Sequence, residues 1–233
     1  MPFADPLFWT ALAKIIGVNI VLSGDNAVVI ALAARSLPAR QQRTAIRWGA
    51  GAAVVMRIVL TAFAVALLAL PWLKLAGAVL LLWIGVKLLV PAPASDGVHA
   101  SENLVAAVRT ILVADVVMSL DNVIAVAAAA GGDWLLLMIG LAISIPLVIF
   151  GATLLVKVME RFPIVIPIGA ALIGFVAGEM AWEDHAIISV TRMHPETLKY
   201  ALASLCAAFV VVMGQWLAQR ATSRTAATQH PAR

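Results

Sequence analysis

Two stretches, VLSGDNAVVIA at 21–31 and VMSLDNVIAVA at 117–127, each set an Asp-Asn pair inside an apolar run. An Asp at bilayer depth costs about 2.5–3.5 kcal/mol on insertion scales, so Asp25 and Asp121 need partners. At about 100° per residue, Asn19, Ser23 and Asn26 share one helical stripe, and Asp115, Ser119 and Asn122 share another. Asp25 and Asp121 stand roughly 100° to the side of their stripes. Either protein surrounds each helix over a wide arc, or the helices unwind at S-G-D-N and S-L-D-N. Gly24 permits the first break, whereas Leu120 gives no such help. Together these groups offer carboxylates, carboxamides and hydroxyls, without imidazole or thiolate. That inventory suits hard divalent cations such as Mg²⁺, Ca²⁺ and Mn²⁺, because zinc and copper favour His or Cys. Asp25, Asp115 and Asp121 would compensate the divalent charge. The four histidines, His99, His185, His194 and His230, fall in loops or the tail. Hydrogen bonding between helices is the competing reading, and for Ser23 and Ser119 alone it is the simpler one.

The elements that position these residues follow from composition. Of 233 residues, 63% are hydrophobic and 12% charged, with mean hydropathy +1.02. Soluble domains carry about 25% charge, so the chain is expected in a bilayer. Spans of about 20 apolar residues can be laid at roughly 7–34, 46–70, 73–90, 104–130, 134–156, 163–181 and 198–218. The opening MPFADPLFW has no basic n-region, and the apolar run is too long for a signal peptide. It reads as part of the first span. Cys206, the single cysteine, offers neither a disulfide nor a thiolate metal site.

Loop charge sets the expected orientation. Arg35, Arg40, Arg43 and Arg47 fill the first connection, Lys157 and Arg161 the fifth, and Arg220, Arg224 and Arg233 the tail. The opposite connections carry Lys74, Asp133, and a sixth with Glu183, Asp184, Arg192, Glu196 and Lys199. The positive-inside rule puts the N-terminus outside and the C-terminus in the cytoplasm. Trp9, Trp72, Trp134 and Trp182 would then form an outer aromatic belt. The formal charge of +4 follows from this topology and does not point to nucleic acid.

An offset of 96 lays Val21, Ser23, Asp25 and Asn26 on Val117, Ser119, Asp121 and Asn122, and Asn19 on Asp115. An offset of 92 lays AGAVLLLWIGVK (76–87) on IGAALIGFVAGE (168–179), with Gly77 on Gly169 and Lys87 on Glu179. The middle spans match weakly, chiefly Gly49 on Gly140. Three spans per unit make the two units run oppositely through the membrane, a transporter pattern with its site at the repeat interface. The expected fold is an all-α membrane protein of seven transmembrane helices: two inverted three-helix repeats plus a seventh helix. The first repeat covers 1–90, a cytoplasmic linker 91–103, the second repeat 104–181, an outer loop 182–197, the seventh helix 198–219 and a cytoplasmic tail 220–233.

Other buried charges have plainer accounts. Lys87 is close enough to its helix end to snorkel, and Lys14 and Arg109 lie near span ends. Arg57, mid-span, is open to two pairings: with Glu179, or with an Asp of the candidate site. Pro146 and Pro167 are expected to kink their helices.

The stretches NIVLSGDNAVVIA, ADVVMSLDNVIAV and GAALIGFVAGEM resemble the TerC family of integral membrane proteins, most closely its YjbE-like branch. The resemblance runs from about Leu7 to Leu217. It implies a seven-span protein of the bacterial inner membrane, related to the LysE transporter superfamily, that exports Mn²⁺. Carried over, the acidic-motif residues are Asp25, Asn26, Asp115, Asp121 and Asn122. Asn19 stands where the second repeat has Asp115, so the two half-sites differ in charge.

The expectation is a secondary transporter, not an enzyme, with Mn²⁺ or another hard divalent cation as cargo and no tightly bound cofactor. Its partners are membrane lipids and, through the same carboxylates, protons. The oligomeric state is left open. Two alternatives come from other classes: an amino-acid exporter, in which Asp25 meets an ammonium group, and a non-transport assembly protein. An intramembrane aspartyl protease also needs two Asp residues on different spans, but L-S-G-D-N and S-L-D-N do not resemble its Y-D and G-x-G-D patterns.

Overall fold

The computed structural model describes residues 6–68, 70, 72–90, 100–130, 134–184, 186–188 and 196–229. Its long helices are α1 (Pro6–Ala34), α2 (Ala39–Leu68), α3 (Leu73–Leu89), α4 (Ala100–Ala130), α5 (Trp134–Arg161), α6 (Val165–Trp182) and α7 (Glu196–Gln229). No strand occurs among the described residues. Among the described residues five stretches are long and apolar enough to cross a membrane: Ala39–Thr61, Asn103–Leu120, Met138–Arg161, Val165–Trp182 and Glu196–Ala221. α3 has 17 residues, near the lower limit of about 17 for a span. α1 contributes the shorter apolar stretch Gly24–Ala34.

Several expected boundaries shift, for one reason. A helix need not stop at the membrane surface, because Arg, Gln, Ala and Glu outside it are good helix formers. α2 therefore begins at Ala39, directly after Pro38, and α5 runs on to Arg161. α7 continues to Gln229, through most of the segment expected as a tail. At 1.5 Å per residue, its 34 residues reach about 50 Å, well beyond a hydrocarbon core of about 30 Å. Pro146 lies inside α5. Pro167 falls in the first turn of α6, where a missing N–H breaks no helical hydrogen bond; no kink is required there.

Between apolar helices in lipid, close approach of small side chains replaces the hydrophobic drive. α1 packs most extensively on α5, α4 on α2, and α6 on α7. The α6–α7 seam is built on Gly174 and Gly178, a G-x-x-x-G pair. A methyl at Gly178 would fall 2.5 Å from the Ala203 Cα, and one at Gly174 2.7 Å from the Cys206 carbonyl oxygen. Gly77 approaches Val117 of α4, and Gly169 approaches Val28 of α1. The central core joins Ile30, Leu32, Ile46, Leu81, Ile111 and Ile173, all nearly fully buried.

Each end of the bundle is tied by polar groups. At one end the Arg35 guanidinium donates to the Leu88 carbonyl at 2.9 Å, joining the last turns of α1 and α3. At the other, Asp184 follows α6 and accepts from the backbone N–H groups of Trp72 (3.2 Å), Leu75 (3.0 Å) and Ala186 (2.8 Å). It serves as the missing N-cap of α3, since Trp72, at φ 68°, provides no side-chain cap. Lys199 of α7 pairs with Glu183 at 2.6 Å and with Glu179 at 3.6 Å, and Lys74 of α3 reaches Glu183 at 3.4 Å.

Candidate functional site

The Asp-Asn motif of α1 lies in unbroken helix, and so does that of α4. The unwinding option is thereby overturned, and the wide-arc option holds. α1 is surrounded by α5, α4, α6 and α2, which allows two faces of one helix to meet protein. Asn26 is 3% exposed, and Asp25 is half-buried. The Asp25 carboxylate accepts the Asn26 backbone N–H at 2.8 Å, a local bond that turns the carboxylate along its own helix.

Opposite them stands an ion pair. Arg57 of α2 donates through Nη2 to Asp115 Oδ1 of α4 at 2.9 Å, both side chains 6% exposed. The Ser119 hydroxyl, one helical turn from Asp115, accepts from Arg57 Nε at 3.0 Å and donates to Asp115 Oδ2 at 3.3 Å. The guanidinium thus bridges a carboxylate and a hydroxyl on one face of α4, as the 115/119 spacing requires. Asp25 lies within electrostatic reach of both Arg57 and Asp115. Asn26, Arg57 and Asp115 line a cavity of about 10 Å³, walled by Ile30 of α1, Ala53 of α2 and Leu141 and Val148 of α5. That is roughly the space of one water.

Of the eight residues singled out in the sequence, Asp25, Asn26, Asp115 and Ser119 come together here. The side chains of Asn19, Ser23, Asp121 and Asn122 lie outside the described residues. Among the described residues no three His, Cys, Asp or Glu side chains converge as a metal cluster; the acidic groups at this site are two. Of the two pairings open to Arg57, the structure adopts the one with Asp115, while Glu179 pairs with Lys199. The Asp184 cap and the Lys74–Glu183–Lys199 network were counted from sequence as loop charges only. Their signal was the Glu183-Asp184 pair directly after α6, a position where acids can cap a neighbouring helix.

With this geometry established, comparison with known proteins identifies the lineage. Residues 4–222 match the family described as "Integral membrane protein TerC family". The chain belongs to the TerC family. Among TerC relatives, membrane protein YjbE of Bacillus subtilis is 42% identical over 87% of this chain and 92% of its own length. Membrane protein YceF of the same organism is 26% identical over 76% of this chain and 72% of its own. Inner membrane protein YgdQ of Escherichia coli K12 is 27% identical, covering 68% and 74%. No solved structure matches the chain. The chain is therefore an integral, multi-pass membrane protein with bacterial relatives, in contact with lipid.

Proposed function

We propose that this protein is a secondary transporter of the bacterial inner membrane that exports a hard divalent cation, Mn²⁺ first among them. The observation that carries the reading is the buried Arg57–Asp115–Ser119 group, with Asn26 sharing a water-sized cavity with Arg57 and Asp115 and Asp25 within electrostatic reach of the pair. Its ligand atoms are all oxygen, the donor set that Mn²⁺, Mg²⁺ and Ca²⁺ prefer. Its built-in cation, Arg57, compensates Asp115 when no metal is there. Metal entering beside Asp25 and Asp115 displaces the guanidinium, and the returning guanidinium favours release. Protons that replace the metal on these carboxylates at the outer side would couple export to proton entry. YgdQ is named an inner membrane protein, which supports the location proposed here.

The reading includes seven spans, an outside N-terminus, a cytoplasmic C-terminus and two inverted repeats. Packing supports the repeats: exchanging α1 with α4 and α2 with α5 turns the α1–α5 contact into the α4–α2 contact, and these are two of the most extensive. The equivalent glycines Gly77 and Gly169 likewise approach α4 and α1 in turn. A kinship with the LysE superfamily fits this architecture. The amino-acid exporter reading is disfavoured by the cavity of about 10 Å³, far below the several hundred Å³ of a typical small-molecule pocket.

One observation favours a second reading. A buried Arg–Asp pair also serves as a plain helix clamp, as a non-transport assembly protein would need. Cellular Mn measured by elemental analysis in a manganese-sensitive bacterium separates the two. Wild type should lower cellular Mn, and Asp25→Asn, Asp115→Asn and Asp121→Asn should not, at matched membrane levels. Unchanged Mn with wild type correctly inserted would remove the Mn²⁺ reading. Efflux from vesicles should also slow when the pH gradient is collapsed; indifference to the gradient would remove proton coupling.

A further inference from the structure

A second cationic feature lies away from this site, between α3 and α4. A groove of about 710 Å³ opens there, lined by Leu80, Trp83 and Lys87 of α3 and by Val105, Arg109 and Thr110 of α4. None of its lining residues is acidic. Trp83 and Val105 are well exposed, at 58% and 66%, so the groove opens to the outside of the bundle.

Lys87 belongs to the last turn of α3, close enough to the helix end to snorkel. Its Nζ lies 4.9 Å from the centre of the Trp83 ring, one turn back along the helix. Helical side chains lean toward their own N-terminus, which directs Lys87 into the groove. On the antiparallel α4 the same lean brings Arg109 toward the end where Lys87 lies. Two cations and a hydroxyl thus share a largely apolar recess. The end concerned is also the basic end of the bundle, because Arg35 bonds the carbonyl of Leu88, next to Lys87, and opens the turn that leads into α2 with its Arg40, Arg43 and Arg47.

We propose that this groove is a binding site for an anionic phospholipid. Its phosphate sits between Lys87 and Arg109, and an acyl chain lies along Trp83, Leu80 and Val105. Basic pockets between membrane helices recognise acidic headgroups in this way, and the apolar wall supplies what a free phosphate would not use. A second copy is a poorer occupant. A two-fold contact through this face would set the Lys87 and Arg109 charges against those of the other copy, with no acidic lining residue to offset them.

The test uses the full chain in phosphatidylcholine vesicles containing brominated phosphatidylglycerol or, in parallel, brominated phosphatidylcholine. The Trp83 signal is the difference between wild type and Trp83→Phe. Quenching of that signal by the anionic lipid should need about tenfold less lipid than by the zwitterionic one. K87Q/R109Q should abolish the preference while leaving Trp83 quenched by both lipids. The charge-keeping K87R/R109K should retain it, which covers the case in which the neutral variant fails to insert. Equal quenching of wild type by the two lipids would reduce the groove to ordinary annular contact and overturn the proposal. Protection of Trp83 from both lipids, with cross-linked dimers, would assign the face to a second copy and overturn it equally.

Discussion

Arg57 and Asp115 each have a cost that only the other offsets. A lone charge buried this deeply is expensive, whereas a pair with its hydrogen bonds complete is close to neutral overall. Arg57→Gln or Asp115→Asn alone should therefore lower the stability of the detergent-solubilised protein by about 3–5 kcal/mol. The double variant, Arg57→Gln with Asp115→Asn, should recover much of that loss. Thermal unfolding of the four proteins as a cycle measures the coupling, and strictly additive losses would show that the pair contributes nothing. Once wild type lowers cellular Mn, the same cycle in that assay shows whether the pair serves export or only holds α2 to α4. A clamp is restored with the fold in the double variant, whereas a transport site without Asp115 stays inactive.

At the scale of elements, α6 and α3 depend on features that hydropathy does not report. Gly178 meets the backbone of α7 where any side chain would collide: the Ala203 N lies 2.9 Å from an added methyl and the Leu202 carbonyl oxygen 3.0 Å. Backbone cannot rotate away as a flexible side chain does, so Gly178→Ala should cost about 1–3 kcal/mol by overpacking. Gly51, with nothing within 4 Å, is the control: Gly51→Ala should leave the melting temperature unchanged or raised. The start of α3 responds to pH instead. Burial opposes ionisation of Asp184, which is 1% exposed, but the backbone N–H groups of Ala186, Leu75 and Trp72 outweigh it and hold the carboxyl below its ordinary range. Burial likewise opposes ionisation of Glu183, and the hydrogen bond and charge of Lys199, then Lys74, outweigh it. With both folded-state values depressed, their stabilisation is complete above the ordinary carboxylate range of about 3.9–4.3. It is lost as pH falls through the depressed folded values. Asp184→Asn should flatten that acid limb of a melting-temperature profile; an unchanged limb would remove the cap from the account.

At the scale of the whole molecule, apolar length placed the helices closely, because it is the constraint a bilayer enforces. What it left out was set by contacts between distant segments. Nothing near Arg57 in sequence distinguishes Asp115 from Glu179 as its partner; only the packing of α2 on α4 does. The ends of α2, α5 and α7 were placed short because a helix outside the membrane leaves no hydropathy signal. The sequence showed Asn19 against Asp115 as an asymmetry in charge, but not that an arginine of α2 would stand beside Asp115 while Val148 of α5 gives the cavity only an apolar wall. Asp25, Asn26, Asp115 and Ser119 were legible as residue types, whereas Arg57 was legible only as a charge with two possible partners.

Charge distribution across the bundle leads to the last prediction. Arg35 ties the turn at 35–38 to the end of α3, and Gly214 of α7 packs on Leu89 at that same end. The turn and the start of α2 carry Arg40, Arg43 and Arg47, and the last turns of α7 carry Arg220 and Arg224. The opposite end carries Glu179, Glu183 and Asp184 against Lys74 and Lys199, with Trp9 and Trp72 exposed. Short basic connections are retained in the cytoplasm, and acidic ones have little say. Fusing green fluorescent protein after Arg233 should therefore give fluorescent cells, and alkaline phosphatase fused at Asp133 should be active outside the membrane. Neutralising Arg40, Arg43 and Arg47 together should weaken the bias without reversing it, because Lys157, Arg161, Arg220 and Arg224 still hold the same end. An inactive phosphatase at Asp133 beside a dark C-terminal fusion would turn the bundle over. Export itself would survive that inversion, because a proton–metal antiporter runs in the direction the gradients set; only the face on which each carboxylate meets the metal would exchange.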